Sequence, residues 1–396
     1  MFRIVLMTLA ALLLTGLARA SMLTTAAESF AGHVSTDGYF DYTGLVHLHT
    51  EYSGDASGTY AAVARDAEVV GVRFLIATEH ENLDALRDGR EGWYGSTLML
   101  SGAESTRPEG SLLGLDIDAY PVTREDATAS FLDSVTAQGG MVILAHADSP
   151  RWAWQGPLDD RVAGMEMLDL ADLFHTASVG EKLTAVALLP VNRTAAYLEL
   201  GRSAGSPFDI WDGVGKKRKF VGLYAPDFHQ CLEIINDRCF AFPRARDIMG
   251  LVRNHILTRT PFTGDAAVDR QTVYAAIAAG HLYVSLDVLA DATGFMFSAV
   301  QDGRKVVMGD ELDARAGARF TVTLPPTART VKPTVHLIKD GIQIAVLESR
   351  DGTVRFSDRG PGVYRIEVRT DIPTFFGRDR NAVWIYSNPI YLRQRG

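Results

Sequence analysis

Leu45-Val46-His47-Leu48-His49-Thr50 joins a short apolar run to two histidines two positions apart, and its reading decides the fold. Residues i and i+2 of an extended segment project to one side, so His47 and His49 are expected to reach one ion together. The same order recurs downstream. Phe74-Leu75-Ile76-Ala77-Thr78 is followed by Glu79, His80 and Asn82, and Leu98–Gly102 by Glu104. Val142-Ile143-Leu144-Ala145 is followed by His146, and Phe220–Pro226 by Asp227 and His229; Asp55 lies in the loop after the first pair. A lone histidine after a strand is usually a hydrogen-bonded turn residue. Five strands ending this way point instead to a shared site, because the strand C-termini of a parallel barrel open on one face.

The eight candidates are His47, His49, Asp55, His80, Glu104, His146, Asp227 and His229. Imidazole and carboxylate together suit Zn²⁺, Mn²⁺ or Fe, and two cysteines exclude a four-thiolate zinc clamp. Eight ligands exceed the need of one ion, so two or three divalent ions sharing carboxylates are expected.

Working outward, residues 42–302 alternate apolar runs with helix-like segments such as Thr59–Val70 and Arg124–Gln138, the pattern of an α/β domain. From 303 to 396 the texture changes to six short strands without helical period. They are Phe320–Leu324, Val335–Ile338, Ile342–Leu347, Thr353–Phe356, Val363–Val368 and Ala382–Tyr386, with Asp340-Gly341 as a hairpin signal. A small all-β sandwich is expected there. Residues 1–20, with Arg3, an uncharged run to Gly16 and Ala18-Arg19-Ala20, read as a cleavable signal peptide, followed by a lead-in over 21–41. A secreted or periplasmic protein without a membrane span after cleavage is expected. Cys231 and Cys239, eight positions apart, are equally readable as a disulfide or as two thiols. The 396 residues are 47% hydrophobic and 22% charged, which excludes a largely disordered chain, and the net charge of −9 argues against nucleic acid as a partner. Lys216-Lys217-Arg218-Lys219, the densest basic run, reads as a solvated loop.

His47-Leu48-His49-Thr50, Asp55, Thr78-Glu79-His80-Glu81-Asn82, Gly102-Ala103-Glu104, Ala145-His146 and Pro226-Asp227-Phe228-His229 resemble the ordered motifs of the PHP (polymerase and histidinol phosphatase) superfamily. The resemblance implies a distorted (β/α)7 barrel carrying two or three divalent metals, and most commonly a phosphoesterase. Phe208-Asp209-Ile210-Trp211-Asp212 and Trp384-Ile385-Tyr386-Ser387-Asn388-Pro389-Ile390-Tyr391 look like an exported branch of it. That branch adds a C-terminal β domain and includes a carbamate (carbaryl) hydrolase. The chain departs from the family pattern at Thr78-Glu79-His80, where Asp is usual, and at Pro226-Asp227, where Ser-Asp is usual. Between the fourth and fifth motifs His175 and Glu166 compete for one position. One ion is assigned His47, His49, Glu104 and Asp227, with Glu104 bridging to a second that uses His146. Asp55, His80 and His229 hold the remaining position or protonate a leaving group.

The reading is a metal-dependent hydrolase of a small molecule, first a phosphoester. The alternatives are a carboxylester or carbamate hydrolase of the same fold, or a metal-binding recognition module without turnover. Arg107 and Arg151 are weak candidates to clamp an anionic substrate, and Trp152 and Trp154 to wall an aromatic pocket. Glu51 and Glu79 neighbour the ligands as supporting or acid/base groups. His33, His255, His281 and His336 fit no ligand pattern and are expected to be structural.

Overall fold

The computed structural model describes residues 33–34, 37–120, 122–147, 149, 151–200, 208–230, 232–235, 238–240, 243–372 and 380–394. The expected signal peptide and Cys231 lie outside them, as do 14 of the 21 lead-in residues. The described part is mixed α/β, built on one large sheet. Among the described residues no helix is long and apolar enough to cross a membrane.

Strand β1 (Phe40–Val46) pairs in parallel with β2 (Phe74–His80), and β2 with β3 (Thr97–Arg107). Helix α1 (Tyr60–Val69) makes the first crossover, and the Thr59 hydroxyl accepts from the Ala62 amide as its N-cap. The next strand, β4 (Gly110–Leu115), is a departure from the all-parallel expectation. It runs antiparallel to both β3 and β5 (Met141–Leu144), so a hairpin interrupts the α/β series. Two glycines in six residues weaken its strand signal, which is why its sequence does not announce it. Parallel pairing resumes from β5 to β6 (Val162–Asp169) and from β6 to β7 (Val221–Ala225). An isolated parallel bridge from Leu48 to Phe228 then ties the segment after β1 to the segment after β7. On its other side β1 pairs antiparallel with β8 (Arg253–Thr258), which pairs with β9 (Leu282–Ser285).

Alternate residues of these strands serve different cores, as the two-residue period of a sheet requires. Leu75, Ala77, Met99 and Leu144 pack with α1, while Phe74, Ile76, Leu98, Leu100 and Ile143 join a second core with Val273 and Ile277. Between β6 and β7 lie helices α2 (Leu170–Thr176), α3 (Val179–Leu188), α4 (Arg193–Leu200) and α5 (Phe208–Gly215). All six strands expected after residue 303 are present, with ends shifted by up to a few residues.

The late strands are joined to the early ones. Tyr283, Val284 and Ser285 of β9 pair with Ser387, Tyr386 and Ile385. The Asn388 side chain donates to the Gly222 carbonyl at 2.8 Å and accepts from the Gly222 amide at 2.9 Å. Arg365 forks onto Asp212 through two contacts of 3.1 Å. Trp211 donates to the Phe220 carbonyl at 2.9 Å, and a Cβ on Gly222 would lie 2.8 Å from its ring. The two sequence pieces singled out beyond the ligand motifs therefore meet at this seam. The basic run contributes there too: the Lys216 carbonyl accepts from Arg393 at 2.7 Å, and Lys219 donates to the Ala279 carbonyl at 3.2 Å.

His255 is structural, as expected. It lies wholly buried between Asp41 (3.0 Å) and Asp287 (3.1 Å), with Tyr283 stacked at 4.5 Å and donating to Asp41 at 2.6 Å. Burial pulls its pKa down, but Asp287 and Asp41 outweigh it and lift His255 to about 10. His281 pairs with Asp310 at 3.0 Å, and His336 lies between Thr334 and Gln343.

The raised pKa makes a signed prediction. The His255 contribution is complete below its unfolded value of ~6.5 and is lost as pH climbs towards 10. His255→Ala strands two buried carboxylates and should cost about 3–5 kcal/mol at pH 6. Chemical denaturation at pH 6 and pH 9 checks it: the wild type should lose more stability across that interval than the variant.

Candidate metal centre

The eight residues converge beside the Leu48–Phe228 bridge: His80 closes β2, Glu104 lies inside β3 near its end, Asp55 lies in the loop before α1, and the others stand just past β1, β5 and β7. The route to convergence differs from the one the sequence suggests. β1 stops at Val46, so His47 and His49 are not successive same-side residues of a strand. His47 takes φ +69°, His146 +52° and Asp227 +40°, all left-handed positions that side chains other than glycine rarely adopt. Each turns the chain just past a strand and aims the side chain inward. The His49 amide donates to the Phe228 carbonyl at 2.9 Å and the Thr78 amide to the Leu48 carbonyl at 2.9 Å, which ties the turns after β1 and β7 to each other and to β2. Glu81 and Gln230, next to His80 and His229, are also left-handed. Such strain costs on the order of 1–3 kcal/mol per residue and persists where the surroundings over-determine it.

Four donors face one point. His47 Nε2 lies 3.5 Å from Glu104 Oε2 and 3.5 Å from Asp227 Oδ1, and His49 Nε2 lies 3.5 and 3.2 Å from the same two oxygens. A tetrahedral ion with ligands at ~2.0–2.1 Å separates its donors by roughly 3.3–3.4 Å. All four atoms are buried without a hydrogen-bond partner among the described residues. Their other oxygens continue the pattern: His146 Nε2 lies 3.3 Å from Glu104 Oε1 and 3.9 Å from Asp227 Oδ2. A third triangle joins Asp55 Oδ2 to His80 Nε2 (3.1 Å) and His229 Nε2 (3.5 Å), themselves 3.4 Å apart. The donor set fits a cluster of divalent cations.

A layer of supporting carboxylates sets the imidazole tautomers. Glu166 Oε1 is 2.6 Å from His47 Nδ1, and its Oε2 accepts from the His146 amide at 2.8 Å. Ser53 donates to Glu79 at 2.5 Å and so accepts from His49 Nδ1–H at 2.9 Å. Asp169 Oδ2 and Asp172 Oδ1 face His146 Nδ1 at 3.2 and 3.5 Å, but none of these three atoms has a hydrogen-bond partner among the described residues, so they form a further group able to hold a cation. Once their rings are neutral, the Nδ1 contacts of His47 and His49 leave Nε2 with its lone pair towards the shared point, an arrangement that fixes ligand orientation and basicity in metal sites. Of the two competitors, Glu166 is inside and His175 is exposed, 5.9 Å from the Trp152 ring. Asp169 and Asp172 are absent from the sequence reading. Asp169 ends a strand just as the other candidates do, and its second oxygen caps α2. Glu79 is buried, accepting from Thr50 and Ser53, whereas Glu51 is exposed.

The electrostatics are those of anions packed against imidazoles. Burial pulls His49 down to about 4, leaving it neutral. Burial also opposes protonation of His47, but Glu166, Asp227 and Glu104 raise it well above the ordinary value. Burial lowers His146 too, and the Asp169, Asp172 and Glu104 carboxylates overcome it. His80 rises to about 10, because Asp55 and Glu104 outweigh its burial. Against the upward push of burial, the histidines hold Glu104 and Asp227 well below the carboxylate range.

The anion-clamp expectation is corrected at Arg107. Its guanidinium is buried, donates to the Thr123 and Asp126 carbonyls and the Tyr120 hydroxyl, and contacts Glu81 at 3.4 Å. Arg151 is exposed and stacks over Trp152 at 4.9 Å. Trp152 reaches the cluster, 5.5 Å from the His146 ring, whereas Trp154 donates to the Pro157 carbonyl. A cavity of about 510 Å³ opens beside Asp227 and His229.

No family model and no curated protein matches the chain. Among solved structures it is similar to a two-domain protein from Bacteroides vulgatus containing a predicted PHP-like metal-dependent phosphoesterase. The identity is 13% over 90% of this chain and 100% of that one, with a TM-score of 0.40. An amidohydrolase from Chromobacterium violaceum shares 12% identity over 47% of this chain and 87% of its own, with a TM-score of 0.30. These likenesses are distant, and the site rests on its own geometry.

Two outcomes check it. Adding Mn²⁺ or Zn²⁺ to chelated protein should displace the protons held on His47, His80 and His146. Affinity should therefore fall as pH drops, and calorimetry in two buffers of different ionisation heat should register the release. Ser53→Ala, which frees His49 Nδ1, should weaken metal binding by roughly 10–100-fold. His281→Ala should leave metal content unchanged.

Proposed function

We propose that the chain is a metal-dependent hydrolase of the PHP type, acting on a phosphoester outside the cytoplasm after removal of residues 1–20. In this reading residues 42–302 form the distorted (β/α)7 barrel, closed at the Leu48–Phe228 bridge, and residues 303–396 a β-sandwich docked on it. The observation that carries it is the convergence of His47, His49, Glu104 and Asp227 with unpartnered donor atoms facing one another at distances a cation explains. Those four residues with His146, Asp55, His80 and His229 would hold two or three ions, of Zn, Mn or Fe.

Bound divalent ions supply Lewis acidity and a water of lowered pKa. The chain's residues do the rest. Glu166 orients the His47 imidazole and Ser53 with Glu79 that of His49, while Asp169 stands 3.2 Å from His146 Nδ1. Asp55, His80 and His229 form the open side, with side chains 55%, 33% and 25% exposed. From there one of them hands a proton to the departing oxygen.

A second reading, carboxylester or carbamate hydrolysis, is favoured by one observation: the cavity beside Asp227 and His229 is walled chiefly by apolar side chains. Arg107, being buried, offers no clamp for a phosphoryl group.

Protein supplied with Mn²⁺ or Zn²⁺ should hydrolyse bis-p-nitrophenyl phosphate, lose the activity to a chelator and regain it on readdition. His49→Ala and Asp227→Ala should each lose metal and at least ~100-fold in rate. Faster turnover of p-nitrophenyl acetate than of bis-p-nitrophenyl phosphate selects the second reading. No turnover of any ester with any of these metals selects a recognition module.

A further inference from the structure

We infer that the substrate carries a bulky apolar substituent next to its scissile bond, seated in the cavity between α2–α4 and the turn after β7. The inference rests on the proposed hydrolase reading and specifies what that site selects.

The cavity, about 510 Å³, falls within the ~300–1,000 Å³ of ordinary small-molecule sites. Leu170 and Phe174 of α2, Ala185 of α3 with Leu189 just after it, and Tyr197 and Leu200 of α4 make its walls, while Asp227 and His229 stand at one side. Among the described lining residues the one lysine, Lys182, donates to the His175 carbonyl at 3.4 Å and lies 5.3 Å over the Phe174 ring. Phe174 is 50% and Val186 64% exposed, so the apolar wall continues to an open mouth. A group entering this mouth and stopping at His229 meets hydrocarbon along its length and the candidate metal centre at its end. A sugar or nucleotide would bury hydroxyls there with few partners, at the cost of unmade hydrogen bonds. An aryl or branched alkyl group gains apolar burial instead. Hydrolysis of such an ester adds one water across the scissile bond. The hydroxyl goes to phosphorus or the acyl carbon, the proton goes to the ester oxygen, and the apolar alcohol departs with no redox change.

The test uses the full chain incubated with Mn²⁺ and reads binding by calorimetry, independently of turnover. Phenylphosphonate should bind at least about tenfold tighter than methylphosphonate. Val186→Asp, at an exposed helix position, and Ala185→Phe, which fills the cavity, should bring phenylphosphonate down to the methylphosphonate level and leave the latter unchanged. Equal affinities in the wild type, or undiminished phenylphosphonate binding in both variants, overturn the inference. Should neither phosphonate bind, benzyl alcohol separates the two readings. Benzyl alcohol binding that Val186→Asp abolishes keeps the apolar site and removes the metal centre, whereas no benzyl alcohol binding overturns the apolar site as well.

Discussion

The parallel bridge between Leu48 and Phe228 is the contact on which the rest depends. It is one backbone hydrogen bond long, from the His49 amide to the Phe228 carbonyl, yet it joins segments 180 positions apart. On either side of each bridging residue stands a candidate ligand: His47 and His49 around Leu48, Asp227 and His229 around Phe228. Both central side chains are buried in the core packed with α1, so apolar burial holds the polar flanks in register. Without that pin, four of the eight groups would have no common origin. The His49 ring, stacked at 4.2 Å on His80 and 4.1 Å on His229, would also lose both neighbours.

What the bridge gathers is electrostatically expensive. Glu104, Asp227, Glu166, Asp169 and Asp172 lie within one buried region, and several of their oxygens have no hydrogen-bond donor among the described residues. Buried carboxylates normally neutralise or pair. Here histidines serve as partial partners, which is why their pKa values climb, but His49 is driven the other way. A cation relieves both tendencies at once, since it needs anionic oxygens and neutral imidazoles together. The left-handed turns at His47, His146 and Asp227 add conformational strain in the same place. Strain and unpaired charge concentrated at one mouth are poor choices for stability and coherent choices for a site that holds ions.

Much of this was legible in the chain and some was not, for identifiable reasons. Apolar runs followed by His, Asp or Glu are a local signal, so the strands and all eight grouped residues could be read directly. The geometry behind the grouping could not. Alternation along a strand is the simplest way to bring His47 and His49 together, yet the strand ends a residue too soon and a positive φ does the work. Asp169 and Asp172 escaped because an acidic pair opening a helix reads as a cap, which Asp169 also is. Arg107 looked available only because sequence does not report burial; Tyr120, thirteen positions away, takes one of its donors. Strand β4 escaped because glycine dilutes its pattern while its neighbours supply the pairing.

The seam between early and late strands explains why tryptophan, asparagine and tyrosine cluster in the pieces that carry no ligand. Asn388 fills both hydrogen-bonding positions of Gly222, and Tyr391 reaches the Phe220 backbone at 3.1 Å. These contacts grip β7 at its start, five to seven positions before Asp227. The Arg365–Asp212 fork does the same for α5, whose Trp211 lies against Gly222. A strand held rigidly at one end delivers its other end with less positional freedom, and metal and catalytic geometry tolerates only fractions of an ångström. The late strands therefore contribute to the site without touching it: they fix the strand that presents Asp227 and His229, and through the Leu48 bridge the histidine pair that faces them.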